Sequence, residues 1–352
     1  MTIRKLIVLI LAALVICDAA AEPVALNPNH PQRHVVTEGD TLWDISARFL
    51  RDPWLWPEVW HANPQISNPH LIYPGDTISL IYVDGKPQLR LNRGGISSAH
   101  TDLPVVKLSP GIRAEKLDRT VPTIPRDAVQ QFLTVPLVVG KKELARLPYI
   151  VASAGEHLVT GAGDRVYVRS ITKQETKKFN VFRPGGAFRD PDSREILGYE
   201  AVYVGDATVQ SYGDPATLLL TRTTMEAGIG DRLRPVEIRD NPLNFLPHAP
   251  EQPVEGHIIS VVGGVSQIGS YQVVVLNRGT REGMEIGHVL TIYQTGRTIV
   301  DQVKKKINAK VKLPDEEAGL LMVFRTFDKV SYALVMEAAR PIHVLDLVRN
   351  PT

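Results

Sequence analysis

The rhythm of apolar and polar positions changes several times along this chain, and each change marks a part. Leu6–Ile16 is an unbroken apolar run of 11 residues. From His34 onward the pattern becomes that of a small folded unit. A short apolar run, His34-Val35-Val36, leads into the turn Glu38-Gly39-Asp40. Between Thr41 and Leu50 the apolar residues Leu42, Ile45 and Phe49 are spaced by three and four, which puts them on one face of a helix. Thr41 occupies the N-cap position and Asp44 the acidic position three residues on, a weak capping box. Asp52-Pro53 breaks this helix and opens a second, because proline is tolerated in a first turn. That helix, Trp54–Ala62, presents Leu55, Val59 and Ala62 on one face. Asn63-Pro64 ends it, and Tyr73-Pro74-Gly75-Asp76 turns the chain into a strand over Thr77–Tyr82. The predicted order is strand, helix, helix, strand.

Past Asp84 the period dissolves. Turn residues dominate Asp84-Gly85-Lys86-Pro87 and Asn92–Ser98, so 83–123 reads as a linker that lets the first unit move against the rest. Residues 124–147 offer two short helices, Asp127–Leu133 and Lys141–Leu147, separated by Pro136 and Gly140. The remainder consists of short β-type runs and reads as duplicated. Ala216–Leu220 matches Ser331–Val335 in residue type, and at the same offset of 115 Asp231-Arg232-Leu233 falls on Asp346-Leu347-Val348 and Tyr212 on Phe327. Gly163–Val168 resembles Ser270–Val275, and Asn180-Val181-Phe182 pairs with Thr291-Ile292-Tyr293. The units are 148–235 and 256–349, joined by the proline-rich stretch Asn241–Pro253. Two units are too few for a solenoid, so two similar antiparallel β domains or half-barrels are expected. The fold class is multidomain α+β: a small βααβ module, a linker, and a mainly antiparallel, duplicated β region.

The segment His34–Leu80 resembles the LysM domain, a small carbohydrate-binding module of cell-wall proteins. The matching residues are Gly39-Asp40-Thr41-Leu42-Trp43, Ile45, Ala62-Asn63-Pro64 and Ile72–Ile78, at fixed spacings over the whole module. The usual opening tyrosine is His34 here, and Leu80-Ile81-Tyr82 replaces the usual closing Ile-Pro. Both departures lie at strand ends. The resemblance implies glycan recognition in a shallow groove between two loops, where backbone groups bond N-acetyl amides and apolar side chains lie on sugar faces. The first loop is Gly39, Asp40, Thr41 and Leu42; the second is Asn63, Pro64, Gln65, Ile66 and Ser67. The full arrangement, LysM in front and a β region behind, is similar to an uncharacterised class of bacterial envelope LysM proteins, which carries no known activity for the β part.

Residues 1–21 read as a secretory leader: Arg4 and Lys5, the apolar run, then Ala19-Ala20-Ala21 before Glu22. Eleven apolar residues are too few to span a bilayer comfortably. Cys17 raises the alternative of a lipid anchor, but the bulky Val15-Ile16 precede it where a small residue belongs. A periplasmic or envelope location follows. Cys17 is the only cysteine, so a mature chain starting at Glu22 has no disulfide, zinc-thiolate site or thiol nucleophile. Loss of Arg4, Lys5 and Asp18 lowers the formal charge from +2 to +1, which does not suit a general nucleic-acid binder.

Loops on a rigid scaffold carry binding, and Gly39 lets backbone approach a ligand, although the same residues also turn and cap. All four tryptophans, Trp43, Trp54, Trp56 and Trp60, fall within 18 residues. Aromatic faces stack on pyranose rings, and Trp43, beside the first loop, is the best stacking candidate. A small domain also fills a thin core with large residues, and the cluster is mostly structural. The basic run Asp301–Leu313 reads as a half-buried strand with a solvated lysine face rather than a phosphate site. The ten histidines are scattered, without His-x-His or His-Glu-x-x-His, so no metallopeptidase, no cofactor and no catalytic residue is expected. These features point to a non-catalytic binder of N-acetylglucosamine-containing peptidoglycan. The alternative is an envelope scaffold whose β domains hold a protein partner while the module tethers it to the wall.

Overall fold

The computed structural model describes residues 24–60, 72–92, 121–125, 128–129, 132, 138–155, 160–171, 176–236, 245–263, 267–300 and 310–351. The leader expected at 1–21, the expected second loop, and Lys304-Lys305-Lys306 lie outside the described residues. The chain is β-rich, with a small mixed module in front.

In that module β1 (Arg33–Val35) is followed by α1 (Leu42–Phe49), a 3₁₀ turn (Pro53–Leu55), α2 (Trp56–Trp60) and β2 (Thr77–Val83). The helix face expected from the spacing is the buried one: Leu42, Ile45 and Phe49 meet Val36, Trp56, Val59, Trp60, Ile72 and Ile78. The order strand, helix, helix, strand is as expected, but a third strand follows. Residues 86–92, placed in the linker from their turn-like composition, form β3 (Lys86–Asn92), paired with β2 from Thr77↔Asn92 to Val83↔Lys86. Asp84-Gly85 is the hairpin turn, with φ of 51° and 77°, and Leu89 and Leu91 enter the module's core. The alternation Leu89, Leu91 is a strand pattern too short to stand out beside Gly85 and Pro87.

β4 (Val138–Val139) and α3 (Lys141–Arg146) lead into the first ring. Ala128, Val129 and Phe132 are helical; the rest of the expected Asp127–Leu133 helix lies outside the described residues. β5 (Tyr149–Ser153), β6 (Arg165–Arg169), β7 (Lys178–Arg189), β8 (Ile196–Ser211), β9 (Ala216–Thr223) and β10 (Arg232–Pro235) pair in the order β8-β7-β10-β5-β6-β9, and β9 returns to β8. A closed barrel follows from β11 (Glu255–Val261), β12 (Val273–Leu276), β13 (Val289–Gln294), β16 (Glu316–Thr326), β17 (Ser331–Ala338) and β18 (Leu347–Arg349), in the order β11-β12-β17-β16-β13-β18. A separate two-stranded ribbon, β14 (Thr298–Val300) with β15 (Lys310–Lys312), projects between β13 and β16. Val311 and Leu313 are about 40% exposed, so residues 310–313 of the expected half-buried strand are solvated, while 301–309 lie outside the described residues. Strand-like alternation reports a pleat, and among the described residues no layer packs on either face.

With the ribbon set aside, both rings take their first, second, fifth, fourth, third and sixth strands in turn. Their registers agree as well. Val181↔Gly205 precedes a bulge in the first ring, and Ile292↔Gly319 precedes one in the second. Asn180-Val181-Phe182 and Thr291-Ile292-Tyr293 pair with Arg234-Leu233-Arg232 and Arg349-Val348-Leu347, respectively. One expected alignment is off by a residue. Val166 faces Leu218, as Val274 faces Ala333, so Gly163–Val168 corresponds to Tyr271–Leu276 and not to Ser270–Val275. The slip went unseen because Val273-Val274-Val275 reads alike in either register, whereas in a barrel a one-residue shift swaps inside for outside.

The two interiors are separate cores, one around Val166, Val181, Leu218 and Leu233, the other around Val274, Ile292, Ala333 and Val348. A further cluster lies outside the second barrel. Val273, Val275, Met322, Phe324, Tyr332 and Leu334 point outward there and are covered by Trp43 of the front module, by Ile124 and Val129, and by Phe188 and Leu197 from the β7–β8 hairpin. Among the described residues, no helix is long and apolar enough to cross a membrane.

Candidate functional site

The first loop is a tight turn fixed by its own side chains. Gly39 adopts φ of 96°, a conformation open to glycine and costly for other residues. The Asp40 carboxylate accepts the Thr37 N–H and the His34 ring N–H, each at 2.9 Å. Burial pushes the Asp40 carboxyl up, but these hydrogen bonds prevail and it lies below its usual range. His34, at the position where the resemblance leads one to expect tyrosine, thus braces the loop. A second turn is built alike: Gly75 has φ of 94°, and Asp76 Oδ2 accepts the Tyr73 N–H at 3.0 Å. Gly75 and Val36 then tie the two turns together, through the Gly75 N–H on the Val36 carbonyl at 2.8 Å.

Thr41 caps α1 as expected, its hydroxyl oxygen accepting the Asp44 N–H at 3.1 Å. Asp44 does not reach back to the Thr41 backbone; it accepts the Thr41 hydroxyl at 2.7 Å and the Tyr271 hydroxyl at 2.9 Å. Burial, then the hydrogen bond to Asp44, pushes the Tyr271 phenol up to about 12, so it remains a donor to Asp44. The first-turn amides of a helix have no internal partners. Here the Leu42 N–H donates to the Pro122 carbonyl at 2.9 Å and the Trp43 N–H to the Thr123 carbonyl at 3.3 Å. Two residues earlier the Val121 N–H donates to the Ile72 carbonyl at 2.8 Å. Residues 121–123 therefore bridge the start of α1 and the residue leading into the second turn.

These contacts divide the expected site residues. Gly39 is exposed and Asp40 half-buried. Thr41, Leu42 and Trp43 are 2–3% exposed. Leu42 lies in the module's core and Trp43 in the cluster outside the second barrel, so neither offers a face to a sugar in this conformation. Asn63, Pro64, Gln65, Ile66 and Ser67 lie outside the described residues. Trp56 and Trp60 meet edge to face in the module's core, with centroids 6.4 Å apart. The LysM domain family model matches residues 34–80. The chain thus carries a LysM domain, a module that binds peptidoglycan-type glycans and is not itself catalytic. No curated protein matches the chain.

One group of side chains among the described residues has metal-ligand chemistry: His248, Glu285 and His288, with potential ligand atoms within 4.8 Å of one another. Its hydrogen bonds assign it another task. His288 Nδ1 accepts the Glu285 N–H at 3.2 Å, which leaves the neutral ring's proton on Nε2 and no lone pair free there. The His248 Nδ1–H donates to the Leu246 carbonyl at 2.9 Å, and the two rings meet edge to face, 4.8 Å between centroids. Burial, then His248, holds the His288 imidazole below its usual value against the pull of Glu285. This is a turn latched by a buried neutral histidine.

Proposed function

We propose that the chain is a non-catalytic peptidoglycan-binding protein of the bacterial envelope. It recognises N-acetylglucosamine-containing glycan through the backbone of Gly39, Asp40, Thr41 and Leu42 on one side of the groove and Asn63, Pro64, Gln65, Ile66 and Ser67 on the other. The LysM match over residues 34–80 carries this reading. The braced turn at Gly39-Asp40 supports it, since a rigid loop that exposes backbone beside a glycine suits recognition of amide-bearing sugars. Delivery by the leader at 1–21 places the mature protein in the periplasm or envelope. Binding through a single module is of modest affinity. The test is co-sedimentation of the mature chain with purified peptidoglycan sacculi, with and without a soluble N-acetylglucosamine oligomer. Pelleting that the oligomer abolishes supports the reading. Pelleting that it leaves untouched overturns it.

The matched strand order, registers and bulges of the two rings support a second element of this reading, that they are two copies of one unit. The seat of the LysM module on the second barrel favours a scaffold role beside the glycan role. The LysM module is fastened to the second barrel through Trp43 and the Tyr271–Asp44 hydrogen bond. A module built into a larger body in this way positions that body at the wall. Cross-linking in envelopes, followed by glycan digestion, tests it: an envelope protein that stays attached after digestion supports a partner for the barrels.

A further inference from the structure

The donors that a glycan would meet at the start of α1 are already engaged. Pro122 and Thr123 supply carbonyls to the Leu42 and Trp43 N–H groups, and Val121 donates to Ile72 on the other side. The segment is also anchored by its side chains. Val121 enters the LysM core, and Ile124 enters the cluster outside the second barrel. We propose that residues 121–124 are a built-in occupant of the first-loop side of the LysM groove, at the start of α1, and that glycan gains this side only when the strap leaves it. The proposal rests on the glycan reading of the module.

Two features suit a strap that can be displaced. Its tie to the module is intramolecular, with 28 residues between Asn92 and Val121, so its return to the groove is not a bimolecular step. A tethered occupant of that kind competes with a glycan of modest affinity and yields to a dense polymer. The fit is also imperfect. Thr123 is fully buried, yet among the described residues its hydroxyl oxygen has no hydrogen-bond partner. A buried hydroxyl without a partner weakens the state that buries it. When glycan affinity depends on an open minor state, the apparent dissociation constant scales inversely with the open fraction.

Two substitutions push that fraction in opposite directions. Thr123→Val keeps the shape, removes the orphan hydroxyl and favours closure; Val121→Asp puts a charge into a site only 3% exposed and favours release. Both are made in the mature full-length chain and pelleted with purified sacculi, and the protein's fold is checked by circular dichroism. Hydrogen exchange at the Leu42 and Trp43 amides reports the strap itself. The expected result is that Thr123→Val binds sacculi roughly tenfold more weakly than the wild type. Val121→Asp is expected to bind more tightly, with faster exchange at both amides. If wild type and both variants pellet alike while exchange at the two amides shifts, the strap moves without gating glycan and the proposal is overturned, though the glycan reading stands. If no form pellets, including the fast-exchanging one, the glycan reading itself fails and the strap proposal falls with it. Should Val121→Asp not fold, Thr123→Val decides alone: affinity equal to or above that of the wild type refutes the strap.

Discussion

Trp43 separates two pictures of the front module. On a freely moving module Trp43 would stack on sugar, and its loss would weaken binding while sparing stability. In the structure it is 3% exposed and packs in one cluster with Ile124, Val273, Tyr332 and Leu334. A buried tryptophan removes about 200 Å² or more from water, which at about 25 cal/mol per Å² amounts to roughly 5 kcal/mol as an upper figure. Large-to-small core substitutions of aromatic residues cost about 3–5 kcal/mol. Trp43→Ala is therefore expected to destabilise the chain by about 3–5 kcal/mol, and Trp43→Phe by a smaller amount, because the ring still fills most of the space. Urea unfolding followed by far-UV circular dichroism measures this without depending on the fluorophore removed. Because the residue joins the module to the second barrel, the transition should also broaden or split as the two parts uncouple. A loss under about 1 kcal/mol with a single sharp transition would refute the packing argument, since no core aromatic is that cheap to delete.

Other expectations follow from backbone and titration. Leu345 holds φ of 76° at the place where the first ring has Gly230 at 90°, and Leu345 is 55% exposed. Leu345→Gly is expected to stabilise by up to about 1 kcal/mol in thermal unfolding, the relief of a left-handed non-glycine residue exceeding the added chain entropy. A side chain at Gly319 meets the Glu337 carbonyl, and one at Gly205 meets the Arg222 carbonyl. Alanine at either position is expected to cost about 1–3 kcal/mol in urea unfolding, and a neutral result would show that the two bulges can give way. His288, held below its usual value by burial and then by His248, takes up its proton more readily unfolded than folded. Stability is therefore fully present above the unfolded value of roughly 6.5 and falls as pH drops below it towards the lower folded value. His288→Gln should flatten that part of a stability–pH curve. For Asp190, burial acts upward, but the N–H groups of Ser193 and Asp192, the Asn277 amide and Arg278 outweigh it and hold the carboxyl low. Its contribution is present above the unfolded value and lost as pH falls through the folded one, so Asp190→Asn should be costly at neutral pH and nearly silent in strong acid.

Much of the front module was readable because its signals are local. Leu42, Ile45 and Phe49 follow the helical period, Thr41 is a capping residue, and Gly-Asp pairs mark turns; each needs only a few neighbouring residues. The third strand was missed because Gly85 and Pro87 dominate its composition, while what makes it a strand is β2 lying beside it. The strap was invisible for a stronger reason. Val121-Pro122-Thr123-Ile124 has no period of its own, and only the unpaired amides of α1 give those carbonyls a purpose. Of the expected site, the turn at Gly39-Asp40 stands where the motif places it. The burial of Trp43 depends on residues about 80 to 290 positions away, whereas Leu42 is buried within the module itself.

The difference between the two rings carries the same lesson into the β region. In the first ring, β6 reads Arg-Val-Tyr-Val-Arg, apolar inside and polar outside, the alternation of a sheet wetted on one face. Its counterpart β12 reads Val-Val-Val-Leu with all four residues buried, and β17 holds six buried residues in succession. A continuous apolar strand needs cover on both faces. The second barrel's outer cover comes from the LysM module, the segment through Ile124 and Val129, and the tip of the β7–β8 hairpin, where Glu195 also pairs with Lys329 at 2.6 Å. Two rings with the same strand order have thus taken different roles. The first keeps a polar exterior along β6, and the second is the hub on which the other parts are assembled. Such a hub explains why the module need not be a loose tether. If the strap leaves the LysM groove, Ile124 must also leave the hub's outer cluster, so occupation of the groove by glycan and the packing of the barrels are coupled through one short segment.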